Sequence, residues 1–209
     1  MKETKGIEKR SSRADVHVHS KYSNRPSEWF LRRIGAPESY IEPRALHETC
    51  VRKGMDFVTI ADHNSIAGAL EIADLPGVFL SSEITTYFPE DNCKIHCLVL
   101  GISESSFEEI QAIRENVYDL RDYLTKKNIV HSIAHPLFRV NDRLTAEQFE
   151  KLLVMFNNFE ILNGSRCIRA GNVARAILET LDEKMIEELA NKYDIAPHGE
   201  EPWRKGMTG

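Results

Sequence analysis

The sequence predicts an α/β fold built around a mostly parallel sheet. Short apolar runs rich in Val, Ile and Phe alternate with segments whose apolar residues recur every three or four positions, a pattern typical of βα units. Residues typical of helix ends separate several of these segments. Side chains that can bind metal lie at or near the ends of several predicted strands, where parallel sheets commonly form their active sites.

Length and composition indicate one globular domain. Of the 209 residues, 42% are hydrophobic and 28% are charged, the usual balance of a protein that buries a core. Residues 1–12 are expected to form a flexible arm and residues 13–209 a single domain. The net charge of -5 gives no general attraction to nucleic acid or to anionic membranes. No apolar stretch approaches the roughly 20 residues that span a bilayer, and the polar start has no apolar signal region, so a cytoplasmic location is expected.

Six segments have the apolar, β-branched character of buried strands. Their order between helical patterns supports the α/β prediction. They are residues 14–19, 57–61, 78–82, 94–100, 129–134 and 159–162.

The longest predicted helix covers residues 106–127, where apolar side chains recur at spacings of three and four. Ser105 and Glu108 have the spacing of a capping box at its start, and Thr145 and Gln148 repeat that signal at the start of another helix. The remaining helices are predicted over residues 43–53, 170–181 and 183–193, and residues 201–209 are predicted to form a loop.

His17 and His19 form an H-x-H pair within the first predicted strand. Residues two apart in a strand project from the same face, so both imidazoles could bind one ion. A surface pair or a hydrogen-bonded core pair would give the same sequence, and the motif alone does not separate these readings.

Later predicted strands carry further residues that can bind metal. Asp62 and His63 follow the second strand, Glu83 follows an apolar run, His96 lies within the fourth strand and His135 follows the fifth. Five successive strands thus place His or Glu near the same end of the sheet, which independent coincidences rarely do. Imidazole together with carboxylate suits Zn, Mn or Fe, so the sequence predicts a metal site.

Each of these residues alone has a simpler explanation. Asp62 could cap a following helix, Glu83 could be a solvated strand end, and His96 could be a hydrogen-bonded core histidine. Cys93 and Cys97, four positions apart, could form a zinc pair, but two thiolates do not complete a four-ligand structural site.

The same residues resemble the five motifs of the PHP domain family, named for polymerase and histidinol phosphatase. Residues 15–20, DVHVHS, resemble the first motif, and residues 59–64, TIADHN, resemble the second. The resemblance implies a distorted seven-stranded β/α barrel, similar to a TIM barrel, with two or three metal ions at the strand ends. The third to fifth motifs correspond to Ser82-Glu83, His96 and Ala134-His135-Pro136.

The resemblance also implies an assignment of ligands to ions. His17 and His19 would bind one ion, and His96 with His135 a second. Glu83 would bridge the two. Zn, Mn or Fe are the expected metals.

The chain departs from the family pattern in two places. A third ion would depend on His63, but the family often has Asp or His five or six residues after the H-x-H pair, where this chain has Asn24 and Arg25. The family pattern also ends with Gly-Ser-Asp-x-His, whereas this chain ends at residues 205–209. The last βα element, including the seventh strand, is therefore expected to be absent, which would leave the cluster open on one side.

These observations predict a metal-dependent phosphatase or phosphodiesterase that uses a metal-activated water molecule. Glu83 and Asp62 are the expected catalytic carboxylates. The expected substrate is a small phosphorylated metabolite or nucleotide, and nucleic acid is expected only as a nucleotide or a strand end. Arg139, Asn163 and Arg166, at or after the ends of the last two predicted strands, are the expected substrate-binding residues.

Two other functions fit the same residues. PHP-like domains also occur attached to polymerases and sugar transferases, so the chain could be a non-catalytic metal-binding or regulatory module with a fused C-terminal domain. The same ions could instead polarise a carbonyl in an amidohydrolase-like reaction. Residues 27–37, which mix Trp29 and Phe30 with two arginines, could be a lid or a surface helix that packs its aromatic side chains inward.

Overall fold

The computed structural model describes residues 11–23, 33 and 38–209. Strands and helices alternate along this part of the chain, which confirms the α/β class. The strands are β1 Ala14–Asp15, β2 Phe57–Val58, β3 Ser81–Phe88, β4 Cys93–Leu100, β5 Val130–Ile133, β6 Asn158–Glu160 and β7 Gly206–Thr208. The helices are α1 Pro43–Arg52, α2 Ala67–Leu70, α3 Glu104–Ile113, α4 Val117–Lys126, α5 Ala146–Met155, α6 Ile168–Thr180 and α7 Glu183–Tyr193.

The strands form a five-stranded sheet in the order β3-β4-β5-β6-β7 and a two-stranded sheet, β1-β2. β3, β4 and β5 are antiparallel neighbours, whereas β5-β6, β6-β7 and β1-β2 are parallel. Two single-residue parallel bridges lie outside these pairings: Val58 of β2 pairs with Val78, and His63 pairs with Glu83 of β3. The sheet is therefore mixed, and the strand pairs of the described residues do not form the closed seven-stranded barrel that the resemblance implies.

The third strand differs most from its prediction. It was expected over residues 78–82 but is observed over Ser81–Phe88, where it forms a hairpin with β4. Glu83 consequently lies inside a strand rather than just after one. Apolar composition identifies a buried strand but does not reveal its direction, which explains why the antiparallel pairing was missed.

The prediction that the seventh strand would be absent is wrong, as is the loop predicted over residues 201–209. β7 pairs with β6 in parallel, with Met207 opposite Phe159. The Lys205 ammonium group anchors the start of β7, since it donates hydrogen bonds to the carbonyl oxygens of Leu153 at 2.6 Å and Phe156 at 2.8 Å. β7 is too short to show a strand pattern in the sequence, and these tertiary contacts stabilise it.

The single helix predicted over residues 106–127 is two helices, α3 and α4. Asn116 interrupts it, because its side chain accepts a hydrogen bond from the Tyr118 amide at 3.0 Å and so caps a new helix. α3 is capped by Ser103, not by Ser105. The capping box of Thr145 and Gln148 is confirmed at the start of α5.

The main hydrophobic core lies between the five-stranded sheet and helices α3 to α7. It fixes the strands that carry the chemistry, because fully buried side chains from β3, β4 and β6 meet helix residues there. Examples are Ile84, Val99, Phe159, Ile110, Leu120 and Leu152. Within the described residues, no helix combines the length and the apolar character needed to cross a bilayer.

Candidate metal centre

The Glu83 carboxylate is the centre of the candidate site. Glu83 is fully buried on β3. On the neighbouring strand β4, His96 stands opposite Thr85, so it shares a sheet face with Glu83. Burying an ionised carboxylate is costly unless positive or hydrogen-bonding groups surround it.

Five imidazoles surround the two oxygens of Glu83. Oε2 lies 3.2 Å from His17 Nε2, 3.2 Å from His19 Nε2 and 3.0 Å from His63 Nδ1. Oε1 lies 2.9 Å from His96 Nδ1 and 3.0 Å from His135 Nε2. The structure thus brings together all six residues predicted as ligands, with imidazoles on both sides of one carboxylate.

Several of these short contacts lack the geometry of hydrogen bonds. His63 Nδ1, His96 Nδ1 and Glu83 Oε2 are buried atoms without a hydrogen-bond partner among the described residues. Unsatisfied buried polar atoms are costly, and such atoms collected around one point are typical of ligands that converge on ions. The donor set of imidazole nitrogens and carboxylate oxygens therefore fits Zn, Mn or Fe.

Three groups in the described residues have ligand atoms close enough to hold an ion, each with all its atoms within 4.8 Å of one another. Neighbouring groups share residues. The groups are His17, His19 and Glu83; His19, Glu38 and His63; and His63, Glu83 and His96.

Glu38 is a ligand candidate that the sequence did not reveal. Its Oε2 lies 3.0 Å from His63 Nε2 and 3.9 Å from His19 Nδ1, and it accepts a hydrogen bond from the Ser23 hydroxyl at 2.9 Å. Burial raises the pKa of Glu38, but the nearby imidazoles of His63 and His19 outweigh it and lower the pKa to about 2. Glu38 lies in a polar loop with no strand pattern, so nothing local marked it.

Ser20 and Asp62 join the first two motifs beneath the cluster. Both oxygens of Asp62 accept hydrogen bonds from Ser20, and both residues are buried. Gly68 of α2 packs against this pair. The contacts of Asp62 are thus those of a residue that holds His19 and His63 in place.

Glu160 is a further buried carboxylate beside the cluster, and the sequence prediction missed it. Its Oε1 lies 2.8 Å from His17 Nδ1, and its Oε2 accepts the His135 amide at 2.8 Å. The signal was present, because Glu160 is a charged residue inside the apolar run Phe159 to Leu162. His135 itself has a φ of 30°, which is uncommon for a residue with a side chain.

The buried charges shift the protonation of the cluster in opposite directions. Burial lowers the pKa of His17, but the Glu83 and Glu160 carboxylates outweigh it and raise the pKa to about 10. Burial lowers the pKa of His96 to about 3, although Glu83 opposes the shift. The pKa of Glu83 lies well below its ordinary value, because the surrounding imidazoles outweigh its burial.

A cavity of about 1060 Å³ opens beside the cluster. His17, His19 and His135 line it, as do Arg166 and Phe138. Its volume is at the upper end of the range for small-molecule sites.

The three predicted substrate-binding residues all line this cavity but differ in their contacts. Arg166 stacks its guanidinium 3.8 Å from the centroid of the Phe138 ring, and its buried Nε has no hydrogen-bond partner among the described residues. Arg139 donates to the Asp142 carbonyl oxygen. Asn163 donates to Glu160 Oε1 at 3.0 Å. Residues 27–37, apart from Arg33, lie outside the described part of the chain, as do Asn24 and Arg25.

Comparisons with known proteins give partial matches. No family model matches the chain. The uncharacterized protein MJ1587 of Methanocaldococcus jannaschii is 38% identical over 79 residues, a match that covers 35% of this chain and 44% of that protein. A candidate metal-dependent phosphoesterase from Bifidobacterium adolescentis aligns with a TM-score of 0.47 and 17% identity over 89% of this chain and 85% of the other. An amidohydrolase from Chromobacterium violaceum, solved with bound sulfate and no metal, aligns with a TM-score of 0.48 and 12% identity over 95% of this chain and 89% of the other.

Proposed function

We propose that this protein is a metal-dependent hydrolase of phosphoester bonds, a phosphatase or phosphodiesterase that acts on a small phosphorylated metabolite or nucleotide. The observation that carries the proposal is the Glu83 carboxylate, which has imidazoles within 3.2 Å of both oxygens. A carboxylate in this position suits a bridge between two ions. The order of the five sequence motifs supports a place in the PHP family, and a cytoplasmic location is proposed with it.

The ligand sets follow from the contacts around the two oxygens. His17 and His19 would hold one ion together with Glu83 Oε2, and His96 with His135 would hold a second at Oε1. A third ion would be held by His19, Glu38 and His63. When bound, such ions lower the pKa of a water molecule and stabilise the charge of a phosphoryl group.

The residues of the chain provide the remaining requirements for this chemistry. Ser20 and Asp62 hold the two imidazole-bearing turns together, and burial of Glu83 keeps its negative charge in a site of low polarity. The Arg166 guanidinium stands at the cavity wall with no carboxylate partner among the described residues. A cation that has no carboxylate partner among the described residues and lines the same cavity as the candidate metal centre favours an anionic substrate such as a phosphoester.

The test is a screen of phosphomonoesters and phosphodiesters with Mn, Zn or Fe supplied. We expect turnover that disappears with a chelator and returns when metal is added back. The Glu83→Gln variant should be inactive, and the Glu179→Gln variant, which removes one exposed carboxylate from α6, is the matched control. Thermal stabilisation by metal without any turnover would instead indicate a non-catalytic metal-binding module, because an ion bound only by the folded state stabilises it.

A further inference from the structure

The surroundings of the Glu160 carboxylate are not those that a residue with only a packing role requires. It is 3% exposed and lies between Phe159 and Ile161, which are 0% and 9% exposed. An ionised carboxylate that is excluded from water requires compensation by hydrogen-bond donors or cations.

Three nitrogens converge on the two Glu160 oxygens. His17 Nδ1 lies 2.8 Å and Asn163 Nδ2 lies 3.0 Å from Oε1, and the His135 amide lies 2.8 Å from Oε2. The amide nitrogens of Asn163 and His135 can only donate, and a carboxylate can only accept. The Nδ1 of His17 must therefore carry a proton.

This proton determines what the other side of the His17 ring can do. A neutral imidazole with its proton on Nδ1 has its lone pair on Nε2. Nε2 lies 3.2 Å from Glu83 Oε2 and 3.2 Å from His19 Nε2, so this lone pair points into the cluster. Hydrogen bonds from the second ring nitrogen commonly fix the orientation and tautomer of metal-binding histidines.

We propose that Glu160 is a positioning residue that holds His17 in the Nδ1-protonated tautomer and fixes the backbone of His135. This inference rests on the proposed function, since it assumes that His17 Nε2 binds an ion. Of the two residues that Glu160 holds, His17 contacts Oε2 of Glu83 and His135 contacts Oε1 of Glu83. Glu160 thus holds one ligand on each side of the Glu83 carboxylate. It therefore sets the distance between the two halves of the centre.

A direct role as a metal ligand fits Glu160 less well. Both of its oxygens already accept hydrogen bonds, from His17 and from the His135 amide. The backbone of His135 also needs support, since its φ of 30° is unfavourable for a residue with a side chain. The hydrogen bond from its amide to Glu160 supplies that support.

The Glu160→Gln variant tests the inference with little change in shape. A glutamine amide has one oxygen and one NH₂ group, so in either orientation a donor faces a donor. If the NH₂ group faces His17, Nδ1 must become the acceptor and the proton moves to Nε2, where it blocks binding. We expect the affinity for Zn²⁺ to fall about 10- to 100-fold, the usual effect of losing such a partner. Glu160→Asp should recover part of the loss, and Glu179→Gln should bind like the wild type.

The tautomer of His17 is measured directly by long-range ¹H–¹⁵N correlation NMR of the Zn²⁺-loaded wild-type protein, with His17→Gln to assign the signals. A proton on Nδ1 supports the inference, and a proton on Nε2 overturns it whether or not the Glu160 variants fold. If wild-type protein binds none of Zn²⁺, Mn²⁺ and Fe²⁺, both the proposed function and this inference are wrong. If wild type binds Zn²⁺ and Glu160→Gln binds equally well with the same His17 tautomer, only the positioning role is wrong.

Discussion

Ser20 donates two hydrogen bonds to Asp62, from its amide to Oδ1 at 2.7 Å and from its hydroxyl to Oδ2 at 2.7 Å. Ser20 directly follows His19, and Asp62 directly precedes His63, so this one pair joins the two turns that carry those imidazoles. Both Asp62 oxygens are occupied by these bonds. This arrangement favours a supporting role for Asp62 over the catalytic role expected from its sequence position.

Replacing Gly68 with alanine should disturb this pair. The added Cβ would lie 2.3 Å from Asp62 Oδ2 and 2.5 Å from Ser20 Oγ, which is closer than real contacts allow. We expect the free energy of unfolding to fall by about 1–3 kcal/mol, as for other overpacked sites. Urea denaturation measures the change, and Gly164→Ala is the control, since an added Cβ there meets no atom within 4 Å. Equal stability of Gly68→Ala and wild type would mean that the pair is not held rigidly.

Replacing Glu83 with glutamine should remove the bridging charge with little change in volume. The affinity for metal should fall by more than the roughly 10- to 100-fold that is typical of losing an outer hydrogen-bond partner. Phosphoester hydrolysis should be lost. Elemental analysis and a hydrolysis assay measure these effects, with Glu179→Gln as control. A variant that retains a full complement of metal would contradict the proposed role of Glu83.

Metal binding should weaken as the pH falls, because protons and metal ions compete for the same imidazole nitrogens. His17 has a pKa of about 10 in the metal-free protein, so an ion that binds it at pH 7 or 8 must displace a proton. The apparent affinity should therefore rise with pH, about tenfold per unit for each displaced proton. Calorimetric titration in two buffers of different ionisation enthalpy counts the protons released. An affinity that stays flat between pH 5 and 8 would argue against a histidine-built centre.

The raised pKa of His17 makes the stability of the metal-free fold decrease with rising pH, whereas metal affinity increases. Because the pKa of His17 exceeds its ordinary value of 6.5, the protonated form stabilises the fold below pH 6.5, and this contribution is lost as the pH rises through about 10. Comparing melting curves with and without metal over this interval separates the two effects.

The two cavity arginines should differ in their effect on catalysis. Arg166 has no acidic partner among the described residues, whereas Arg139 already donates to the Asp142 carbonyl oxygen. We expect Arg166→Ala to raise KM about 10- to 100-fold, the size of one or two charge-assisted hydrogen bonds, with metal content unchanged. Arg139→Ala should have a smaller effect. Unchanged kinetics in both variants would show that neither arginine binds the substrate.

The sequence alone could predict Glu83 and the five imidazoles around it because each of these residues lies in or beside a short apolar strand. Glu38 could not be found in this way, since a loop residue reaches the site only through the path of the chain. Glu160 could have been found, because an ionisable residue inside an apolar run requires a partner. Two of its partners, His17 and His135, however, are distant in sequence and were not predictable from local pattern.

The arrangement of the strands was less predictable than their existence. Apolar composition predicted β4, β5 and β6 within a few residues but not the antiparallel direction of β4 relative to its neighbours. The helix break at Asn116 depends on one side chain that competes with the helical backbone, although the apolar stripe continues on both sides. β7 depends on contacts of Lys205 with α5 and with the turn that follows it, and no window of its own sequence contains that information.

The hairpin formed by β3 and β4 also has a consequence for the order in which the centre assembles during folding. A hairpin closes by local contacts, on a time scale of about 1–10 µs in small systems, so Glu83 and His96 can meet early. His17 and Glu160 are 143 positions apart, and contacts at such a separation form late because of the entropy of closing the intervening chain. Pulse-labelling hydrogen exchange should therefore detect protection of β3 and β4 amides before those of β6. Metal added during refolding should leave that first phase unchanged and accelerate only the last.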